Sequence, residues 1–141
     1  MGDNYRVRLR VRMRDGVRKC RLTRVLKAWM DDKRAFAGPY PSNVDFSLAL
    51  NRGCGNRPDT LAGIWRILLA FHQGDGRQSS KYGWDEYRSA FHGSYSWYAV
   101  LEDAFRKAAP MLADGSRMEV SRDSGTSAFE VSDGEAAETE A

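Results

Sequence analysis

The sequence predicts an α+β domain. N-terminal and C-terminal β-hairpins form a small antiparallel sheet of about four strands, with roughly three to five helices packed on its apolar face. Three observations lead there. Residues 5–13 read Tyr-Arg-Val-Arg-Leu-Arg-Val-Arg-Met, a strict alternation that ends near the turn dipeptide Asp15-Gly16. Residues 117–122 and 127–131 alternate again on either side of a Gly-containing loop. Between these ends, apolar residues recur at helical spacing.

A period of two is that of a strand with one buried face. Asp-Gly suits a two-residue hairpin turn, because both central positions then take positive φ. Folded through Asp15-Gly16, Val11 faces Cys20 and Leu9 faces Leu22, while Arg12 faces Lys19 and Arg10 faces Arg21. Apolar residues share one face and cations the other, and a slip of one residue would destroy the match. From Leu22 the period changes: Leu22, Val25, Leu26, Trp29 and Met30 form one face of a helix reaching about Phe36. Gly38-Pro39-Tyr40-Pro41 ends it. Ser42 caps a short helix to Leu50, and Pro58 with Thr60 opens the most apolar helix, which ends at Gly74.

Gln73 to Lys81 reads as a polar loop and Trp84 to Phe91 as a short helix. Ser94 or Ser96 then caps a longer helix with Trp97, Leu101, Ala104, Phe105, Ala108 and Leu112 on one stripe, its last turn tightened by Pro110. In the second hairpin a loop of Asp123 to Thr126 sets Val120 opposite Phe129, Met118 opposite Val131 and Glu119 opposite Glu130. Residues 1–132 thus make a single α+β domain. Residues 133–141, with no core-forming side chain, read as a disordered acidic tail.

The 141 residues carry 22 basic and 19 acidic side chains, a net charge of +3 that hides a gradient. Residues 1–34 hold +8, residues 35–112 hold +1 and residues 113–141 hold −6. No apolar run approaches the roughly 18 residues of a membrane span, and the N-terminus lacks a secretory signal. Cys20 and Cys54 are too few for a disulfide framework, so the expected compartment is the reducing cytoplasm.

Arg6, Arg8, Arg10, Arg12, Arg14, Lys19 and Arg21 share one face of the first hairpin and are the candidate nucleic-acid or anion-binding residues. Same-face neighbours on a strand lie about 7 Å apart, close to the spacing of phosphates along a nucleic-acid strand. Arginine binds phosphate in two-point fashion, which lysine cannot do. Two other readings stand beside this one. Charge on an edge strand prevents aggregation, and the acidic end of the chain could itself neutralise the arginines. A tail that does so would weaken non-specific binding until displaced.

Seven of the sixteen aromatic residues fall between Tyr82 and Tyr98. Trp84, Tyr87, Phe91, Trp97 and Leu101 follow helical spacing and read as core, which leaves Tyr82, Arg88, Tyr95 and Tyr98 as candidate stacking or interface residues. No CxxC, HxxxH or HExxH spacing occurs, so no metal site is expected. Cys54 with His72 or His92 could in principle form a nucleophile–base pair, but any chain with two of each permits such pairings. The adjacent acids Asp31-Asp32 and Asp85-Glu86 diverge on a helix, and neither GxG turn has the rest of a phosphate loop. No catalytic residue and no cofactor is assigned.

The leading expectation is a small non-enzymatic binding protein that engages nucleic acid or a nucleoprotein through its Arg-rich face. Size, charge polarity and the lack of a catalytic motif fit the general character of accessory proteins of phages and mobile elements. The second class is a protein inhibitor of a bacterial defence complex, of anti-CRISPR or anti-restriction type, which would pair with an acidic protein surface. The third is a Cys/His enzyme.

Overall fold

The computed structural model describes residues 2–18, 75–81, 83–95 and 97–141, together with 21–22, 24–26 and 28. Strands β1 (Gly2–Val11), β2 (Asp75–Lys81), β3 (Trp84–Ser94), β4 (Arg117–Arg122), β5 (Gly125–Ser132) and β6 (Glu135–Thr139) form one sheet in the order β2-β3-β1-β4-β5-β6. Every neighbouring pair is antiparallel. Helix α1 (Trp97–Ala108), extended by the 3-10 turn Ala109–Met111, links β3 to β4 across the face that β1 buries.

The alternation of β1 is realised in full. Tyr5, Val7, Leu9 and Val11 are buried, while Asn4, Arg6, Arg8 and Arg10 are exposed. Against the buried row pack Leu101, Ala104, Phe105 and Ala108 of α1, Met118 and Val120 of β4, and Phe129 and Val131 of β5. Each such side chain withdrawn from water contributes roughly 1.5–3 kcal/mol. Leu22 and Leu26 join this core with Val25 packed beside them, the spacing expected of the first helix. Residues 12–14 continue past β1 along the end of the 3-10 turn, through Ala113 N–H to Arg12 O (2.8 Å) and Arg14 N–H to Met111 O (2.9 Å).

Several sequence expectations are corrected. The sheet has six strands, and among the described residues only two helical segments accompany it, so the architecture is mostly sheet with few helices. The first hairpin does not form. Asp15-Gly16 does turn the chain, with Gly16 at φ +82° and Val17 N–H donating to Arg14 O at 3.0 Å, but the residues beyond are helical from Arg21. A central strand needs a ladder on both edges, and β3 and β4 supply two long ones. The return strand 17–22 would instead have taken Leu22 from its helix.

Residues 75–81 and 84–94, expected as loop and helix, form the hairpin β2–β3 around Gly83 at φ +82°. Tyr87 and Phe91 are four apart, a spacing that serves a helix and a strand face equally. The β4–β5 hairpin forms in a register shifted by two residues. Met118 faces Phe129 and Glu119 faces Ala128, because the loop is Asp123-Ser124 rather than four residues long. An even shift preserves the faces, so the apolar row is unchanged. Glu135–Thr139, expected within a disordered tail, forms β6 through a turn with Asp133 at φ 55° and Gly134 at φ 80°, the two positive values of a type I′ hairpin. Of the stripe expected along α1, Leu101, Ala104, Phe105, Ala108 and Leu112 are buried, and Pro110 sits in the 3-10 turn that tightens its end. The helices expected at 42–50 and 58–74, and the first helix beyond residue 28, lie outside the described residues.

Candidate polyanion-binding face

The sheet face opposite the core carries ordered rows of charge, set by the register. Arg8 on β1 stands opposite Arg88 on β3, and Arg88 opposite Arg77 on β2, so three arginines occupy consecutive positions across three strands. On its other side Arg8 faces Glu119 of β4. Directly opposed residues have Cβ atoms about 5 Å apart, and like charges there are destabilising.

One row along, Arg10 faces Glu86 on one side and Arg117 on the other. Its Nε lies 3.6 Å from Glu86 Oε1, and its guanidinium stacks 4.2 Å above the Trp84 ring. Arg117 donates from Nε to Glu119 Oε1 at 3.1 Å and pairs with Glu130 Oε1 at 3.7 Å. These contacts hold Arg10 and Arg117 locally, although exposed pairs of this kind contribute only about 0–1 kcal/mol each. Among the described residues no ion pair involves Arg6, Arg8 or Arg88, and all three are exposed.

Of the seven expected cations, Arg6, Arg8 and Arg10 share this face. Arg12 is exposed just beyond β1, and Arg14 is half-buried against the Gly134 turn. Arg21 stands exposed on a helical segment and not on the sheet, and Lys19 lies outside the described residues. Arg88 joins the face from β3, Tyr95 is 56% exposed, and Tyr82 lies outside the described residues. Tyr98 is half-buried, its ring 6.3 Å from that of Phe129. Trp84, Glu86, Arg117, Glu119 and Arg122 were not among the expected site residues. The period-two set Trp84, Glu86, Arg88, Ala90 and His92 is the signal that would have found the first two.

Among the described residues the acidic end reaches this face at Arg117, which pairs with Glu119 and Glu130 and whose Nη2 donates to the Glu140 backbone oxygen, and none of its ion pairs involves Arg6, Arg8 or Arg88. β6 lies three strands from β1, about 14 Å away at the usual strand spacing. On the helix side Arg106 Nη1 also donates to Ala136 O at 2.6 Å.

At the end of the Arg row a cleft of about 600 Å³ is lined by Asn4, Tyr5, Arg6, Ala90, Ser121, Arg122 and Asp123. Asp3 ties two of these lining residues together: its Oδ1 accepts from the backbone N–H of Asn4 at 2.9 Å and of Asp123 at 3.0 Å. The Asp123 backbone N–H, with a side-chain contact to Asp123, is the main cause that holds the Asp3 carboxyl below its usual range. Burial pushes the Tyr5 phenol up, and its hydroxyl donates to Tyr95 O at 3.1 Å. His92 Nδ1 meets Asn4 Oδ1 at 3.1 Å, and Ser121 Oγ meets Thr126 Oγ1 at 2.9 Å. The Arg122 guanidinium lies 3.8 Å from the Tyr98 ring, and its shielded Nε has no acceptor. A buried donor in that condition costs about 1–3 kcal/mol.

Among the described residues no group of three His, Cys, Asp or Glu side chains could hold a metal ion, and no helix is long and apolar enough to cross a membrane. Cys20, Cys54 and His72, the members of the conceivable nucleophile pairs, lie outside the described residues, and the remaining histidine, His92, is engaged with Asn4. The chain matches no protein-family model, no curated protein and no solved structure.

Proposed function

We propose that this is a non-enzymatic binding protein that engages nucleic acid, alone or within a nucleoprotein, through the open face of β3 and β1. One observation carries the reading: Arg6, Arg8 and Arg88 have no carboxylate partner among the described residues, while Arg10 and Arg117 beside them do. A sheet that neutralises two of its cations and leaves three exposed in adjoining positions retains an uncompensated patch. Phosphate diesters neutralise such a patch one charge at a time, and arginine accommodates each of them in two-point fashion.

The test is copurification from lysate with and without nuclease, followed by binding of a labelled single-stranded oligonucleotide across a salt series. Three phosphate contacts give a slope of log affinity against log salt near −2, or about twentyfold weaker binding at 200 mM than at 50 mM. An affinity that does not change with salt refutes the reading. A protein partner that survives nuclease treatment, with no nucleic acid in the eluate, refutes it in favour of an inhibitor acting by protein contact.

A further inference from the structure

We propose, resting on the polyanion reading of the same face, that the pocket between β1 and β4 seats a guanine base of the bound strand. Arg8, Arg10, Arg117 and Glu119 line it. The register puts all four on one side of the sheet, because Arg8 is directly opposite Glu119 and Arg10 directly opposite Arg117. Arg8 and Glu119 carry opposite charges at opposed positions, yet no ion pair joins them. Glu119 turns instead along its own strand, where its Oε1 lies 3.1 Å from Arg117 Nε. A space of about 180 Å³ is left among the four side chains. Whole small-molecule sites usually enclose about 300–1,000 Å³, so this one takes a single ring system of a larger ligand.

The carboxylate selects the base. On a face that attracts phosphate, Glu119 opposes the backbone of the ligand and calls for a hydrogen-bond donor from it. Arg117 does not require Glu119 as its sole partner, since Glu130 Oε1 at 3.7 Å and the Glu140 backbone oxygen engage the same guanidinium. Among the described residues Glu119 Oε2 has no hydrogen bond, and a carboxylate accepts at both oxygens. Of the four bases only guanine sets two adjacent donors, N1–H and the 2-amino group, beside an acceptor, O6. The two donors match Glu119 in two-point fashion, and O6 falls to Arg8. Arg8 is exposed and without an ion-pair partner among the described residues, and its five N–H donors suffice for O6 and a neighbouring phosphate together. Single-stranded bases are read in this way, on their hydrogen-bonding edges, once they are turned out of a stack.

Short oligothymidylates carrying one central guanine, inosine or thymine serve as probes of the full chain, compared by fluorescence anisotropy. The guanine strand is expected to bind about tenfold tighter than the all-thymine strand, the discrimination of one two-point pair. Inosine lacks the 2-amino group, and its strand should bind like the all-thymine one. The guanine and thymine strands should give parallel salt slopes, because hydrogen bonds to a base release no counterions. Glu119→Gln should lose the preference for guanine, since an amide offers one acceptor oxygen in place of two. The inosine comparison decides on the unaltered protein, whether or not that variant folds. Inosine bound as tightly as guanine, or a preference kept by folded Glu119→Gln, overturns the assignment. Three strands bound alike with the salt dependence intact overturn it too, and leave the polyanion reading in place. Binding of none of the three refutes the polyanion reading and the guanine assignment with it.

Discussion

Replacing Arg8 by Gln should move stability and binding in opposite directions. Arg8 and Arg88 are directly opposed across β1 and β3, and among the described residues neither has an ion-pair partner. Two unit charges about 6 Å apart in water repel by about 0.7 kcal/mol before screening, and by about 0.4 kcal/mol at 0.1 M salt. Glu119, on the other side of Arg8, is engaged by Arg117 at 3.1 Å and offsets only part of this. Arg8→Gln should therefore raise stability by about 0.2–0.5 kcal/mol at low salt, a gain in Tm of about 1–2 °C for a domain of this size. That gain should fade at 1 M salt, where the screening length is about 3 Å. The same variant should move the salt slope for single-stranded oligonucleotide toward zero by about 0.7, the contribution of one phosphate contact. Thermal denaturation at two salt concentrations and fluorescence anisotropy across a salt series measure the two effects on one preparation. A fall in Tm at low salt refutes the reasoning about opposed charges, and an unchanged slope refutes the assignment of Arg8 to phosphate.

Phe129, 1% exposed between β4 and α1, should cost about 3–5 kcal/mol on replacement by Ala, read by urea denaturation. Truncation after Ser132 removes the β5–β6 ladder and the hydrogen bonds from Arg106 to Ala136 and from Arg117 to Glu140, while Glu119 and Glu130 stay to pair Arg117. It should cost roughly 2–4 kcal/mol at about 1 kcal/mol per hydrogen bond, with no gain in nucleic-acid affinity by anisotropy. Gly134→Ala, at φ 80° and against Arg14, should lower stability by about 1–2 kcal/mol in the same denaturation assay. The Asp3 carboxyl is held below its ordinary value in the folded state, so its stabilisation is complete above the ordinary carboxyl range and is lost as pH falls through the folded value. Asp3→Asn should accordingly flatten the acid limb of the stability profile in that range and leave the alkaline limb in place.

The strand alternation read over residues 5–13 and the stripe of α1 were legible because each pattern fits one period only. What β1 pairs with was not legible. Val11 and Leu9 met Cys20 and Leu22 on paper as well as they meet any partner, and a local match carries no information about a better one far along the chain. Tyr87 and Phe91 misled for a related reason, since a spacing of four belongs to both periods. The β4–β5 pairing was found with its faces correct and its register displaced, as expected when alternation fixes parity while loop length fixes position. Asp-Gly marked a type I′ turn as it should, but at Asp133-Gly134 rather than Asp15-Gly16, and the acidic composition around it obscured the signal. For the face itself, the cations of β1 could be read from the chain. Arg88, Glu86 and the cleft at Arg122 depend on pairings that only the folded sheet discloses.

The central place of β1 has a consequence for the birth of the protein. Leu9 and its partner Met118 are 109 residues apart, so a ribosome adding roughly 5–20 residues per second leaves one edge of β1 unpaired for about 5–20 s. During that interval a bare strand with a Tyr-Val-Leu-Val row is a template for any other nascent strand nearby. The arginines between those residues repel a second copy of the same segment, in the manner of gatekeepers flanking an unavoidable apolar strand. The charge that lines the open face of the finished molecule thus guards the growing chain.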